Sequence, residues 1–313
     1  MKNFITNIII ILILLLISYQ ILTESSIVIE SVLYAVDIWK NSLFPPMFTF
    51  FVLSEILINY GFVEIIGNLF SKPANFLFKI NKNGIFAIIL GMLSGFPSSA
   101  KYIKELLENN KITLKEANKL ILFTHFSNPL FILGTIGTLL NKKLGIIILL
   151  SHYLGNLFIG IIIRNYNPAK DNKLENIKNI INNINRNNFI KVLSNAINNA
   201  INSALLVLGI ITICTIISNI IDKHCNETIG LLINIVFEIT KGINYIGNSN
   251  INLFFKGLII TSMLSFGGIS VHMQISSIIS ETKIKYMPFL GARILHVFLS
   301  IILYIIFFNL MYL

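Results

Sequence analysis

Charge is scarce in this chain. Only 12% of its 313 residues are Asp, Glu, Lys or Arg, against about 25% in a soluble domain, and that shortage excludes an ordinary water-soluble globular fold. Acids are the scarcer sign: 14 Asp plus Glu against 24 Lys plus Arg leave a net charge of +10. On a soluble protein such an excess points to nucleic acid, but here the cations lie between apolar runs, as the positive-inside rule describes, and no nucleic-acid partner is expected. Cysteine is nearly absent. Cys214, in an apolar run, and Cys225, in a polar turn, provide neither a disulfide framework nor a metal cluster. No nucleotide-binding loop or paired catalytic constellation is present, and His125 and His152 fall in separate apolar stretches without a nucleophile beside them. No metal, cofactor or enzymatic activity is therefore expected. What fills the chain is apolar: 55% of residues are hydrophobic and the mean hydropathy is +0.78. This is the composition of an all-α, polytopic integral membrane protein whose standing partner is the lipid bilayer.

Asn3 to Thr23 is uncharged and long enough for the roughly 20 residues a hydrocarbon core needs. It is long for a secretory signal, and no small-x-small site follows it. Residues 1–25 are read as an N-terminal membrane helix, with Lys2 before it and Glu24 and Glu30 after it placing the N-terminus in the cytoplasm. A second helix is expected to open at Leu43-Phe44-Pro45-Pro46, where first-turn prolines forfeit no helical hydrogen bond, and to run to about Asn59. Asn83 to Ala100 is uncharged, interrupted by Gly91, Gly95 and Pro97, and flanked by lysines at both ends, which predicts a re-entrant hairpin. Lys101 to Lys119 has the spacing of an interfacial amphipathic helix. Leu120 to Asn141 crosses with a break at Ser127-Asn128-Pro129, and Leu144 to Ile163 returns. Residues 166–188 are rich in Asn and charge and read as a cytoplasmic linker. The Asn runs carry little weight, because abundant Ile, Asn and Lys reflect codons rich in A and T. Beyond the linker, Val192 to Ile221 holds an amphipathic approach and a span, Gly257 to Ser280 is a second glycine-interrupted stretch, and Leu290 to Leu313 is the last span.

The stretches Met92-Leu93-Ser94-Gly95-Phe96-Pro97 and Met263-Leu264-Ser265-Phe266-Gly267-Gly268 echo one another. Paired broken segments in two halves point to a transporter built from repeats. The expected organisation is two inverted repeats, residues 26–165 and 189–313, each carrying a broken or re-entrant helical hairpin. Chance similarity of Leu/Ile/Ser-rich membrane segments is the competing account.

A broken helix frees backbone amides at its N-terminal end and carbonyls at its C-terminal end, which suits an anion or polar solute. Ser94, Gly95, Pro97, Ser98 and Ser99 form the first candidate seat, Ser127 and Asn128 the second, and Ser265, Gly267, Gly268, Ser270, His272 and Gln274 the third. Close packing by small residues, a plain proline kink and a neutral, hydrogen-bonded histidine are the structural alternatives. Arg293 either pairs with a substrate carboxylate or snorkels to the interface. Glu55 lies about ten residues into its span, where a carboxylate needs a partner or a proton. It is the candidate coupling residue, with a structural pairing to Lys101 or Arg293 as the alternative.

Read in order, Leu43 to Glu55 (LFPPMFTFFVLSE), Gly91 to Lys101 (GMLSGFPSSAK), Phe126 to Gly137, His152-Tyr153-Leu154-Gly155 and Phe266 to His296 resemble the YlbJ sporulation integral membrane proteins, built on the nucleoside-recognition or Gate domain. The last block is the most specific. This sequence departs from the usual pattern at Ser99, where the family has Gly, and at Asn128, where it often has Gly. The resemblance implies a role in endospore formation, in the cell membrane or outer forespore membrane, moving dipicolinic acid toward the spore. A nucleoside-type solute transporter or a non-transporting membrane assembly factor in spore-envelope maturation are the alternative functions. The sequence is compatible with a homo-oligomer.

Overall fold

The computed structural model describes residues 2–169 and 188–312. The described part is helical, and most of the linker expected at 166–188 lies outside it. Helix α1 (Lys2–Thr23) is followed after one residue by α2 (Ser25–Ile38), which runs through a π-helical stretch, Trp39–Leu43, into α3 (Phe44–Asn59). The helix expected to open at Leu43 thus begins eighteen residues earlier, at Ser25. Pro45 and Pro46 cannot donate to carbonyls one turn back, and the π stretch that precedes them absorbs the lost register.

Next come α4 (Phe62–Phe78), α5 (Gly84–Ser94), α6 (Ser98–Glu108) and α7 (Leu114–Leu120). The chain then unwinds until Asn128 and resumes as a π-helical stretch, Phe131–Ile136, with one more turn, α8 (Gly137–Leu139), before α9 (Lys142–Ile162). Beyond the undescribed residues lie α10 (Phe189–Lys223), α11 (Glu227–Phe237), α12 (Ile239–Asn248), α13 (Leu253–Phe266), α14 (Gly268–Ser280) and α15 (Tyr286–Tyr312). The single interfacial helix expected over Lys101 to Lys119 is instead the second arm of a hairpin, α6, and the separate α7. Thr113 divides them by starting α7 with a capping box closed by Glu116, which satisfies two amides that would otherwise stay unpaired.

Asparagine, discounted in the sequence, starts several of these helices. Asn141, Asn188, Asn226 and Asn252 accept backbone amides at the first turns of α9, α10, α11 and α13. Its short side chain does at a helix start what the absent preceding turn would do.

Five helices among the described residues are long and apolar enough to cross a membrane: Ser25–Asn59, Lys142–Ile162, Phe189–Lys223, Leu253–Ser280 and Tyr286–Tyr312. The protein is a multi-pass integral membrane protein, and its helices are apolar on the outside. On α15, Ile294, Phe298, Ile302 and Leu310 are exposed, while Arg293, His296, Ser300 and Tyr304 are buried. The buried set recurs every three or four residues, the spacing of one helix face. Outward Leu and Ile meet acyl chains, and polar atoms are driven inward to find partners, since lipid offers none.

The order of elements before and after the undescribed segment is similar. A long helix (α2–α3, then α10) leads, through α4 in the first half and directly in the second, to a pair of short helices packed on each other (α5 with α6, then α11 with α12), an interrupted helix (α7 to α8, then α13 to α14), and a straight helix (α9, then α15). This order aligns the tip Gly95–Pro97 with Glu238, and the unwound stretch 121–128 with Gly267. The sequence echo pairs Gly95 with Phe266 instead. Helices α9 and α15 pack along one another, α10 packs on α2 and α3, and α14 packs on α6. These contacts bring all four interruptions to one place.

Candidate functional site

The first interruption is the tip between α5 and α6. Gly95 has φ 81° and ψ −176°, a region essentially closed to residues with a side chain, and the Phe96-Pro97 peptide is cis. A Cβ on Gly95 would stand 2.5 Å from the Asn128 amide nitrogen, so the tip lies directly against the second interruption. Asn128 ties the two together: its Nδ2 donates to Ser94 O at 3.2 Å, and its Oδ1 accepts the Leu130 amide at 2.7 Å, restarting the helix.

An unwound stretch inside a membrane protein must have its backbone satisfied by side chains. The segment 121–128 obtains its partners from α9 and α15. The Ser127 amide donates to His152 Nε2 at 2.9 Å, and the single O–H of Tyr153 is shared between Met92 O on α5 and Ser127 O at 2.9 Å. Asn156 Nδ2 donates to His125 O at 2.6 Å, and Arg293 Nη2 donates to Leu122 O. Arg293 Nη1 reaches Asn156 Oδ1 at 3.0 Å and His296 Nδ1 at 3.1 Å. His296 Nε2 lies 2.8 Å from His152 O, so that nitrogen carries a proton, and its Nδ1 also lies 3.2 Å from Ser265 O. His152 accepts at Nε2, which leaves its proton on Nδ1, 3.5 Å from Ser265 Oγ. Arg293 is 0% exposed, and among the described residues no carboxylate pairs with it. Its charge faces the carbonyls freed beyond α7, where a helix C-terminal end is negative.

The third interruption is the single extended residue Glu238 between α11 and α12, and the fourth is Gly267, left-handed at φ 101°. Gly267 lies against His125, whose ring stacks on Phe96 with centroids 4.8 Å apart. Gly268, also left-handed, approaches Val236 O. A cavity of about 50 Å³ opens where the four meet, lined by Ser94, Ser127, Asn128, Glu238, Thr240, Ser270 and Gln274 among apolar neighbours that include Phe96, Phe131 and Val271. That is room for a few water molecules.

Of the residues singled out in the sequence, Ser94, Ser127, Asn128, Ser270 and Gln274 line this cavity. Gly95 and Pro97 flank Phe96, which also lines it. Ser98 and Ser99 are buried in the first turn of α6, where Ser99 Cβ lies against Gly91. Ser265, Gly267 and Gly268 belong to the packing described above. His272 is bonded to Phe266 O at 3.0 Å and Tyr286 Oη at 2.9 Å. Arg293 neither lines the cavity nor snorkels: it is fully buried and binds backbone. Glu55 is half-buried outside the cavity; it accepts Asn199 Nδ2 from α10 at 2.7 Å and attracts Lys101, one of its two expected structural partners, electrostatically.

Glu238 was missed by the sequence reading. Its signal is a lone acid directly after the uncharged run Thr228–Phe237. His152, Tyr153, Asn156 and His296, the supports of the unwound stretch, carry no such local signal, because they serve backbone more than twenty residues away.

The Gate family model, described as nucleoside recognition, matches residues 42–143, which span both α5–α6 and the unwound stretch. The chain is 30% identical over 294 residues to the sporulation integral membrane protein YlbJ of Bacillus subtilis (strain 168), covering 83% of this chain and 72% of that protein. No solved structure matches it.

Proposed function

From its membership of the YlbJ family of sporulation integral membrane proteins, we propose that this protein is a membrane transporter of a small anionic solute, dipicolinic acid, across a forespore membrane during sporulation. The observation that carries this reading is the convergence of four helix interruptions on one cavity whose largely apolar walls carry a few polar side chains, Ser94, Ser127, Asn128, Glu238, Ser270 and Gln274 among them. Irregular backbone at membrane depth is costly unless it lines a cavity or is buried in protein, and transporters place their solute between such interrupted helices. Hydroxyls of Ser127 and Ser270 and the side-chain amide of Gln274 offer donors to carboxylate oxygens, and Phe96 offers an aromatic face to a planar ring. The similar order of elements on either side of the linker supports two repeats, residues 26–165 and 189–313, inverted relative to one another.

The void is smaller than dipicolinate, so binding requires the interrupted helices to part. This closed packing also favours a second reading, a non-transporting factor in spore-envelope assembly. Purified protein in vesicles decides between them. Labelled dipicolinate should exchange across the membrane in a protein-dependent, saturable manner. No exchange from monodisperse, correctly inserted protein would refute the transport reading, and uptake of nucleosides in preference to dipicolinate would refute the substrate.

A further inference from the structure

The cavity contains one ionisable side chain, and it is an acid. Glu238 is 1% exposed. Its Oε1 accepts the Thr240 amide at 3.1 Å, whereas its Oε2 is buried with no hydrogen-bond partner. Ser270 Oγ stands beside the carboxyl without closing a hydrogen bond and is likewise buried and unpartnered. Two unsatisfied polar groups from different interrupted helices therefore face the same small cavity.

Among the described residues no cation pairs with this carboxyl. The titratable groups that face it are Tyr34 on α2 and Cys214 on α10, both neutral in their ordinary forms. Lys241, three residues on, turns instead to Asn219, Asn234 and Asp222. On α14 the one titratable group near the cavity is His272, held by Phe266 O and Tyr286 Oη. Arg293 on α15 is committed to Leu122 O, Asn156 and His296. An ionised Glu238 would have only the Thr240 amide and the neighbouring hydroxyls of Thr240 and Ser270 to turn to, neutral groups without a counter-charge, a costly arrangement in a buried site. Protonated, the same group becomes a donor at Oε2, and a carboxylate solute then meets a hydrogen bond where it would otherwise meet repulsion.

We propose that Glu238 is the proton-binding group of the solute site. It takes up one proton on the side from which the solute enters, donates its carboxyl O–H to a carboxylate oxygen of the solute, and gives up the proton on the side where the solute leaves. One proton thus accompanies each anion. The inference rests on the reading of this cavity as the solute seat.

The test uses the full-length protein in vesicles with labelled dipicolinate, a pH-sensitive dye inside, the membrane potential clamped at zero, and a bulk pH at which the solute is fully ionised. In the wild type a one-unit inward proton gradient should accumulate solute up to about tenfold, with one proton entering per molecule. Glu238→Gln keeps a donor but cannot release a proton. Exchange at equal pH should be slowed but not abolished, while gradient-driven accumulation and proton uptake are both lost, and Glu238→Asp should restore both. Wild-type accumulation indifferent to the gradient, with no proton uptake, overturns the proposal without recourse to any variant. So does Glu238→Gln that still accumulates solute with protons, or that loses exchange despite an unchanged melting temperature. Retained coupling in Glu238→Gln with loss in Glu55→Gln would move the role to Glu55. A wild type that exchanges no dipicolinate at all refutes the transport reading itself, an outcome distinct from exchange without coupling.

Discussion

The contact between Gly95 and Asn128 joins the first two interruptions, and Gly95→Ala tests it. At φ 81° and ψ −176° a residue with a Cβ costs about 1–3 kcal/mol. The added Cβ would also sit 2.5 Å from the Asn128 nitrogen and 2.9 Å from its Cα, so the 121–128 stretch must move. Moving it strains the two hydrogen bonds of the Asn128 side chain, to Ser94 O and from Leu130 N, at about 0.5–1.5 kcal/mol each. Lower entropy of the unfolded chain returns about 0.4–1 kcal/mol. The net loss is about 2–4 kcal/mol, confined to the tip and the unwound stretch. Hydrogen exchange in detergent or nanodiscs reads this directly, because local opening sets the rate. Amides around 93–98 and 126–130 should both exchange about 30-fold to several hundred-fold faster, at about 1.4 kcal/mol per decade. Gly134→Ala, where the new Cβ meets nothing within 4 Å, is the control and should leave both segments unchanged. Acceleration at 93–98 alone would show that the tip does not rest on Asn128, and wild-type rates in both segments would refute the argument entirely.

The other expectations concern the supports of the unwound stretch. Arg293→Lys removes the planar fork that serves Leu122 O, Asn156 Oδ1 and His296 Nδ1 together, and an ammonium leaves at least one of these buried groups unpaired. A loss of about 1–3 kcal/mol is expected, read as a lower thermal midpoint of the solubilised protein; an unchanged midpoint would mean that Arg293 is not holding this backbone. His152→Ala orphans the buried Ser127 amide, with a similar expected cost. Its exchange should accelerate selectively, and an effect spread evenly over α9 would instead indicate lost packing.

The membrane class was legible in composition and in the run lengths of apolar residues, because a hydrocarbon layer imposes its own length and excludes charge. The Ser94–Pro97 and Ser127–Pro129 interruptions were legible for the same local reason: glycine at a forbidden dihedral and proline without an amide act within a few residues of themselves. Glu238 was overlooked because one extended residue between two short helices leaves only a lone acid in the sequence. The partners of the unwound stretch were beyond sequence reading altogether. His152, Tyr153, Asn156 and Arg293 look like scattered polar residues in apolar helices, and Arg293 in particular could bind a solute or the interface on sequence grounds. Only the packing of α9 and α15 against 121–128 decides that it binds Leu122 O. Which polar atoms meet at membrane depth is set by long-range packing, and there an unmet carbonyl, amide or carboxyl has no water to fall back on.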